Sequence, residues 1–197
     1  METILKEGYW KIMKLFYEDK RAKIHLRSIA RKTGLNENSA TRFLEGLRKN
    51  NLLKYEKEGN LKKYSIEKNS RTYLIFSMFD TEKFNRLPSL RKNSITYFFE
   101  KLEEKPIILI LFGSTSKETY EKESDIDLLL IVNGKIKTEK AENYAEAQTG
   151  IRISCFQIAY SDFIREIKIK EDKVIASAVN SGYPLTNHLK YYEEILA

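Results

Sequence analysis

The residues best suited to chemistry are a Gly-Ser pair and, ten residues further on, two aspartates. The stretch Leu111-Phe112-Gly113-Ser114 is followed by Asp125-Ile126-Asp127 at the start of an apolar run. Strand side chains alternate between two faces, so Asp125 and Asp127 are expected to project to the same side. Carboxylate oxygens are the ligands that Mg²⁺ prefers. The pattern therefore predicts a magnesium site formed by these two aspartates.

The Gly-Ser pair is placed to bind phosphate. The pattern predicts that a buried strand ends here and a helix begins. Gly113 lets the backbone approach a triphosphate, and the Ser114 hydroxyl and the N–H groups that follow can bind phosphate oxygens. A hard cation that bridges carboxylates and phosphates is common to nucleotidyl-transfer sites. The two motifs together predict a site for a nucleotide and its metal ion.

The elements that must position these residues alternate from residue 107 onward. The apolar pattern predicts strands at 107–112, 125–132 and 151–158, a helix at 138–147, and helices to the carboxyl end. Such alternation is typical of an α/β layout. We place this domain at residues 105–197. Residues 70–104 are predicted to form a helical connector that includes a helix from about Ser89 to Glu104.

The segment FGSTSK, followed after six residues by SDIDLLLI, resembles the G-S…D-x-D signature of the polymerase-beta-like nucleotidyltransferase superfamily, particularly its minimal nucleotidyltransferases. The resemblance covers roughly residues 105–197. It implies that Asp125 and Asp127 are catalytic and bind two divalent metals, Mg²⁺ or Mn²⁺. It also implies that Gly113 and Ser114 hold the phosphates of an NTP and that Lys117 assists with phosphate charge. Minimal nucleotidyltransferases often act with a helical partner in toxin–antitoxin pairs, so such a partner is implied as well.

Two positions depart from the pattern of that family. Glu118 stands where the family usually has glycine, and it places negative charge near the phosphates. Active members carry a third carboxylate on a later strand, but the matching stretch 151–158 contains no acid, and Asp162 follows it at a predicted helix start. Two carboxylates can hold a Mg-nucleotide, whereas a nucleophile would lack its base. Nucleotide binding alone and active NMP transfer to a protein, RNA or small-molecule hydroxyl both stay open.

Positive charge is concentrated in the first third of the chain. Residues 1–70 contain 17 Lys+Arg and 9 Asp+Glu, a net charge of +8, whereas residues 71–197 contain 18 and 19, a net charge of −1. A compact basic module indicates an anionic partner, with nucleic acid the usual one. The alternative is a Lys/Glu-rich surface that only confers solubility.

Residues 1–69 are predicted to form a winged helix-turn-helix domain. Apolar spacing predicts a first helix along Leu5–Phe16, a second from about Leu26 to Lys32, and a third capped by Asn36. Two strands, Leu53–Lys57 and Leu61–Ile66, then form a hairpin. Residues 24–66 resemble the winged helices of archaeal and bacterial transcription regulators, which implies binding to double-stranded DNA.

The predicted DNA contacts lie on the third helix and on the hairpin. The polar face of the helix suits base edges in a major groove, and the hairpin lysines suit the DNA backbone or minor groove. The residues are Asn38, Ser39, Thr41, Arg42, Lys57, Lys62 and Lys63. A homodimer is expected because such regulators usually bind paired half-sites. A winged helix that binds protein or only dimerises is the alternative.

Composition excludes several classes of protein. The longest apolar run, Ile107–Phe112, is about a third of a membrane span, and the single cysteine, Cys155, rules out an internal disulfide. The first residues, METILKEGYWK, lack the apolar region of a secretory signal, so a cytoplasmic protein without a membrane partner is expected. The sequence thus predicts a two-domain α+β and α/β fold: an N-terminal winged helix and a C-terminal mixed-sheet nucleotidyltransferase-like domain. The function expected is DNA binding of the transcriptional-regulator type, with Mg-nucleotide binding in the second domain.

Overall fold

The computed structural model describes residues 6–197, which divide into two compact units, one ending at Phe79 and one covering Asp80–Ala197. The division falls within the predicted connector, residues 70–104, and that segment is helical. Leu5, which the sequence assigns to the first helix, lies outside the described residues.

The first unit is a winged helix, as the sequence predicts. Its elements are α1 (Glu7–Glu18), β1 (Ile24–His25), α2 (Leu26–Thr33), α3 (Glu37–Lys49), β2 (Leu53–Glu58) and β3 (Leu61–Ile66). The hairpin strands pair antiparallel, and β1 adds on the other side of β3 to give the order β1-β3-β2. The sequence analysis missed β1 because two residues are too few to show any periodicity.

Local signals explain why α1 and α3 form where they do. α1 buries Ile12, Met13 and Phe16 on one face, which is the three- and four-residue spacing of an amphipathic helix. The side chain of Asn36 accepts a hydrogen bond from the Ser39 N–H at 2.8 Å. This contact confirms Asn36 as the cap of α3.

Two helices link the wing to the second sheet. They are α4 (Ser70–Arg86) and α5 (Ser89–Lys101), and Pro88 stands between them. Proline disfavours a helical conformation in the residue before it, which explains the break. α5 ends at Lys101, three residues earlier than expected, and the following residue, Leu102, has extended backbone.

The second unit is built on a mixed four-stranded sheet. Its elements after α5 are β4 (Ile108–Phe112), α6 (Gly113–Lys117), β5 (Ile126–Val132), α7 (Glu139–Thr149), β6 (Ile153–Ala159), α8 (Tyr160–Ile169), α9 (Lys173–Ser181), β7 (Tyr183–Pro184) and α10 (His188–Leu196). The strand order is β6-β5-β4-β7; β5 and β6 are parallel, and the other two pairs are antiparallel. The predicted strands and helices exist with ends shifted by one or two residues, and β7 was not predicted because it is again only two residues long.

The two faces of this sheet differ in the side chains that they carry. One face packs against α5 and α7 in an apolar core that includes Leu111, Ile126 and Leu128. By alternation, Phe112, Asp127 and Leu129 belong to the opposite face. Helices α8 and α9 contact strands of the same sheet. The alternation therefore separates a mostly apolar face, which also carries Gln157 of β6, from one that carries polar groups at the start of β5.

Candidate nucleotide site and nucleic-acid interface

Gly113 and Asp127 are brought together by the pairing of β4 with β5. Phe112, the last residue of β4, is the antiparallel partner of Asp127, so the turn into α6 begins beside the Asp127 side chain. A Cβ placed on Gly113 would lie 2.0 Å from Asp127 Oδ2, and the Gly113 backbone has φ +69°. Only glycine tolerates both the contact and this left-handed backbone. The sequence predicts a glycine in this turn, and the reasons are the close Asp127 carboxylate and the left-handed backbone.

The residues that follow Gly113 divide into structural and exposed ones. The Ser116 hydroxyl is buried and lies within hydrogen-bond distance of the Gly113 and Ser181 carbonyls, so it fastens α6. Ser114 is partly exposed, and its hydroxyl has no hydrogen-bond partner among residues 6–197. Lys117 is fully on the surface at the end of α6. Ser114 and Lys117 thus remain available to a ligand.

The two aspartates form a carboxylate pair at the start of β5. Asp125 directly precedes the strand, and Asp127 is its second residue. Burial raises the pKa of the Asp127 carboxyl, and the negative charge of Asp125 raises it further. A nearby cation would relieve both effects, because it offsets the repulsion and replaces lost solvation. This is the electrostatic condition in which a divalent ion is favoured.

The parallel strand β6 places a serine, and not a third carboxylate, beside the aspartate pair. Asp127 pairs with Ser154, and the Ser154 hydroxyl donates a hydrogen bond to Asp125 Oδ2 at 3.1 Å. The Arg152 guanidinium lies 3.9 Å from the same oxygen. Neither side chain is an anionic metal ligand. Asp162, the nearest acid after β6 in sequence, lies in the first turn of α8 and pairs with Arg165 at 3.2 Å.

The donor set fits one mode of metal binding. Within residues 6–197, no group of three or more His, Cys, Asp or Glu side chains is arranged to hold a metal ion. Mg²⁺ is commonly bound by one or two carboxylates together with substrate phosphates. Asp125 and Asp127 fit that shared mode, in which the ligand completes the coordination.

Sequence reasoning missed Arg91 of α5, which supports the loop between α6 and β5. Arg91 is 3% exposed, and its guanidinium donates to Thr115 Oγ1 at 2.9 Å and to the carbonyls of Glu121 and Ser124 at 3.0 and 2.9 Å. The guanidinium also stacks 3.9 Å from the centre of the Tyr120 ring. Burial lowers the pKa of Arg91. An arginine in a polar helix sequence carries no signal of such a role.

Cys155 lies on β6 between Ser154 and Phe156, on the face opposite theirs. Burial raises the pKa of its thiol strongly, and the negative charge of Glu142 adds to the shift. A protonated, largely buried thiol is a poor nucleophile. Cys155 packs against the apolar core of the second unit.

In the first unit, the predicted DNA-contacting residues of α3 lie on its outer surface. Asn38, Thr41 and Arg42 are exposed, while Ser39 is partly exposed and gives its N–H to Asn36. Glu45 continues the same face one turn later, since it follows Thr41 and Arg42 at four- and three-residue spacing. This acidic residue was not anticipated, and it is half-buried. The outer face of α3 therefore combines amide, hydroxyl, guanidinium and carboxylate groups.

The three predicted lysines of the wing differ in their partners. Lys62 pairs with Glu45 at 3.4 Å and lies 4.4 Å from the centre of the Tyr55 ring. Lys63 pairs with Glu58 at 3.2 Å. Lys57 is exposed and has no ion-pair partner in the part of the chain that the structure describes. Two of the three positive charges are thus partly compensated by glutamates on the protein itself.

A model of a known protein family matches the second domain. Residues 93–187 match the family model described as "Polymerase beta, Nucleotidyltransferase", which covers just under half of the chain. This match confirms the nucleotidyltransferase-like domain that the G-S…D-x-D motif predicts. No curated protein gives a match to the sequence.

Three solved structures are similar to parts of the chain. Staphylococcus aureus MarR in complex with salicylate and kanamycin is 19% identical, with 45% of this chain and 64% of that chain covered and a TM-score of 0.33. A toxin-antitoxin with AMP-PNP is 16% identical, with 51% and 79% covered and a TM-score of 0.37. Lactococcus lactis ZitR in complex with DNA is 15% identical, with 51% and 74% covered and a TM-score of 0.32. The chain spans just under two thirds of the MarR chain.

The helices of the described chain also bear on membrane association. Among residues 6–197, no helix is both long enough and apolar enough to span a bilayer.

Proposed function

We propose that this protein binds double-stranded DNA through its winged helix and a nucleoside triphosphate with Mg²⁺ or Mn²⁺ through its second domain, as a transcription regulator would. The observation that carries the proposal is the contact between Gly113 and Asp127. Because the Gly113 backbone lies directly against this carboxylate, a phosphate bound at the Gly-Ser turn would lie beside the aspartate pair and share its cation. We retain the domain limits 1–69, 70–104 and 105–197 as part of the proposal.

The roles of the site residues follow from their positions. Asp125 and Asp127 would hold the divalent cation, which would neutralise the charge of the phosphates when bound. Ser114 donates its free hydroxyl to a phosphate oxygen, and Lys117 contributes a positive charge at the mouth of the site. Arg91 keeps the loop in place without touching the ligand. These residues bind and orient a triphosphate.

The chemistry around Asp125 favours binding over transfer. A nucleophilic hydroxyl needs a base within hydrogen-bond reach. Ser154 lies beside the aspartate pair. Its hydroxyl donates a hydrogen bond to the Asp125 carboxylate and is not a base that accepts a proton. Arg152 adds a positive charge beside the same carboxylate. These contacts favour a site that binds a nucleotide over one that activates an acceptor hydroxyl.

The DNA-binding role rests on charge and on exposure. The excess of positive charge lies within residues 1–70, and the winged helix presents Asn38, Thr41 and Arg42 on the outer face of α3. Arginine and asparagine are the side chains that most often read guanine and adenine edges in the major groove. Lys57 supplies a phosphate contact from the wing. A homodimer on paired half-sites suits this geometry.

Calorimetric titration with each Mg-NTP tests the nucleotide site. The wild-type protein is expected to bind, and the double variant Asp125→Asn/Asp127→Asn is expected to lose the metal-dependent binding. Asp162→Asn is the matched control, because it removes a carboxylate that already has its own partner, Arg165. Equal binding by the wild type and the double variant would contradict the proposal. Transfer of label from an α-phosphate-labelled NTP to an added acceptor, with release of pyrophosphate, would instead establish active transfer.

A further inference from the structure

Phe156 is an aromatic side chain exposed beside the candidate site. The strands β4, β5 and β6 are composed almost entirely of apolar residues, and Phe156 is the one large apolar side chain among them that is exposed, at 40%. The other large apolar residues of these strands lie in the core or are partly covered. Single exposed apolar side chains are common on protein surfaces, so the position of this ring decides what it can do.

The register of the sheet places this ring on the face that carries Asp127. Asp127 pairs with Ser154, and two residues along, Leu129 pairs with Phe156. Residues two apart on a strand share a face and lie about 7 Å from one another. Phe156 therefore stands one same-face step beyond Ser154, the residue that contacts Asp125.

A second aromatic ring connects Phe156 with the Gly-Ser turn. The rings of Phe156 and Phe112 meet at an interplanar angle of 66° with their centroids 5.6 Å apart. Phe112 directly precedes Gly113 and is the cross-strand partner of Asp127. The contact covers part of Phe156, which stays 40% exposed. The two rings thus form a wall next to the carboxylates.

We infer that Phe156 stacks on the base of the nucleotide whose triphosphate is held by Asp125, Asp127 and Ser114. This inference rests on the proposed function and adds the part of the site that receives the base. Phe156 lies on the same face of the sheet as Asp127, two residues beyond Ser154 along β6. A nucleotide held by its phosphates at the carboxylate pair would extend its base to this position. Stacking on an aromatic face accepts every base, because each base has a π-face. The site is therefore expected to bind all four NTPs with similar affinity.

A purely structural role for Phe156 makes a different prediction. A packing residue would contribute through burial, and its replacement would lower stability without changing the preference between ligands. A stacking residue would change binding only for ligands that have a base. Comparing Mg-NTP with Mg-tripolyphosphate, which has the phosphates alone, separates the two roles.

The experiment is calorimetric titration of wild type, Phe156→Ala and Phe156→Leu with Mg-ATP, Mg-GTP, Mg-CTP, Mg-UTP and Mg-tripolyphosphate. Loss of stacking is expected to weaken NTP binding by roughly 5- to 100-fold in both variants. Tripolyphosphate binding is expected to stay within about twofold of wild type. Ile169→Ala is the control, because Ile169 is 48% exposed at the end of α8 and lies outside the site.

A spectroscopic readout accompanies the titrations. In Phe156→Trp, the new indole is expected to be quenched by Mg-NTP and left unchanged by Mg-tripolyphosphate, with the wild type as the blank for Trp10. Circular dichroism and thermal melting establish that each variant is folded.

The outcomes distinguish failure of this inference from failure of the proposed function. Suppose that the wild type binds both Mg-NTP and Mg-tripolyphosphate. If Phe156→Ala and Phe156→Leu then bind Mg-NTP with wild-type affinity, Phe156 does not contact the base. The same holds if the variants lose NTP and tripolyphosphate equally. If the wild type binds neither ligand, the proposed nucleotide site is itself wrong, and the role of Phe156 falls with it.

Discussion

Gly113 lies against Asp127 so closely that a methyl group on the glycine would overlap the carboxylate, with only 2.0 Å between that carbon and Oδ2. The contact joins the two motifs of the second domain into a single site. It arises because Phe112 and Asp127 are paired across β4 and β5.

Gly113→Ala is expected to abolish Mg-NTP binding and to lower the melting temperature, because the new methyl group displaces Asp127 and the backbone is left-handed. Gly150→Ala is the control. Gly150 has the same φ of +69°, but a Cβ there meets nothing within 4 Å, so only the backbone cost of about 1 kcal/mol applies. Calorimetry and thermal melting measure both effects. Wild-type nucleotide affinity in Gly113→Ala would show that the contact has no part in binding.

Arg91→Met is expected to destabilise the second domain by about 1–3 kcal/mol, because the Glu121 and Ser124 carbonyls lose a buried donor. Helix α6, which carries Gly113 and Ser114, and the loop after it should also loosen, so NTP affinity should fall. Arg86→Met is the control, since Arg86 makes an exposed pair with Glu82 on α4, and such pairs contribute little. Denaturant unfolding and hydrogen exchange of residues 113–124 measure the change. Equal stability of both variants would contradict the supporting role of Arg91.

Cys155 is expected to react slowly with a thiol reagent in the native protein at pH 8. Its pKa is raised, so the thiol stays protonated at pH values where an ordinary cysteine is partly ionised, and the thiolate fraction increases only as the pH rises further. Glu142→Gln removes a negative charge that raises this pKa, so the reaction should be faster in that variant. The rate in guanidinium chloride gives the unprotected reference. A native rate equal to this reference would show that the thiol is exposed.

The wing lysines are expected to differ in their effect on DNA affinity. Lys57→Ala should reduce the slope of log affinity against log salt by about 0.9, because it removes one uncompensated phosphate contact. Glu58→Gln should increase affinity, since it releases Lys63 from its ion pair. Lys140→Ala, in the second domain, is the control. Titrations with duplex DNA at several salt concentrations measure the slopes. Unchanged slopes in Lys57→Ala would exclude the wing from the DNA interface.

Much of the architecture could be predicted from local patterns. The Asn36 cap, the three-helix order and the hairpin depend on contacts between near neighbours in sequence, and the structure contains them all. The alternation of β5 also predicts which side chains face the core, and Ile126 and Leu128 are indeed buried there. Such features are determined within a few residues, where backbone preference and periodicity act directly.

The sequence alone established that a Gly-Ser turn and an aspartate pair occur in strand context, and that positive charge is concentrated before residue 71. Only the tertiary structure decided that Ser154 stands beside Asp125, that Phe156 shares the face of Asp127, and that Arg91 is buried under the loop. The pairing of β5 with β6 and the packing of α5 bring together residues more than 25 positions apart. No local sequence pattern predicts the register between β5 and β6, because that register is set by how the whole core packs.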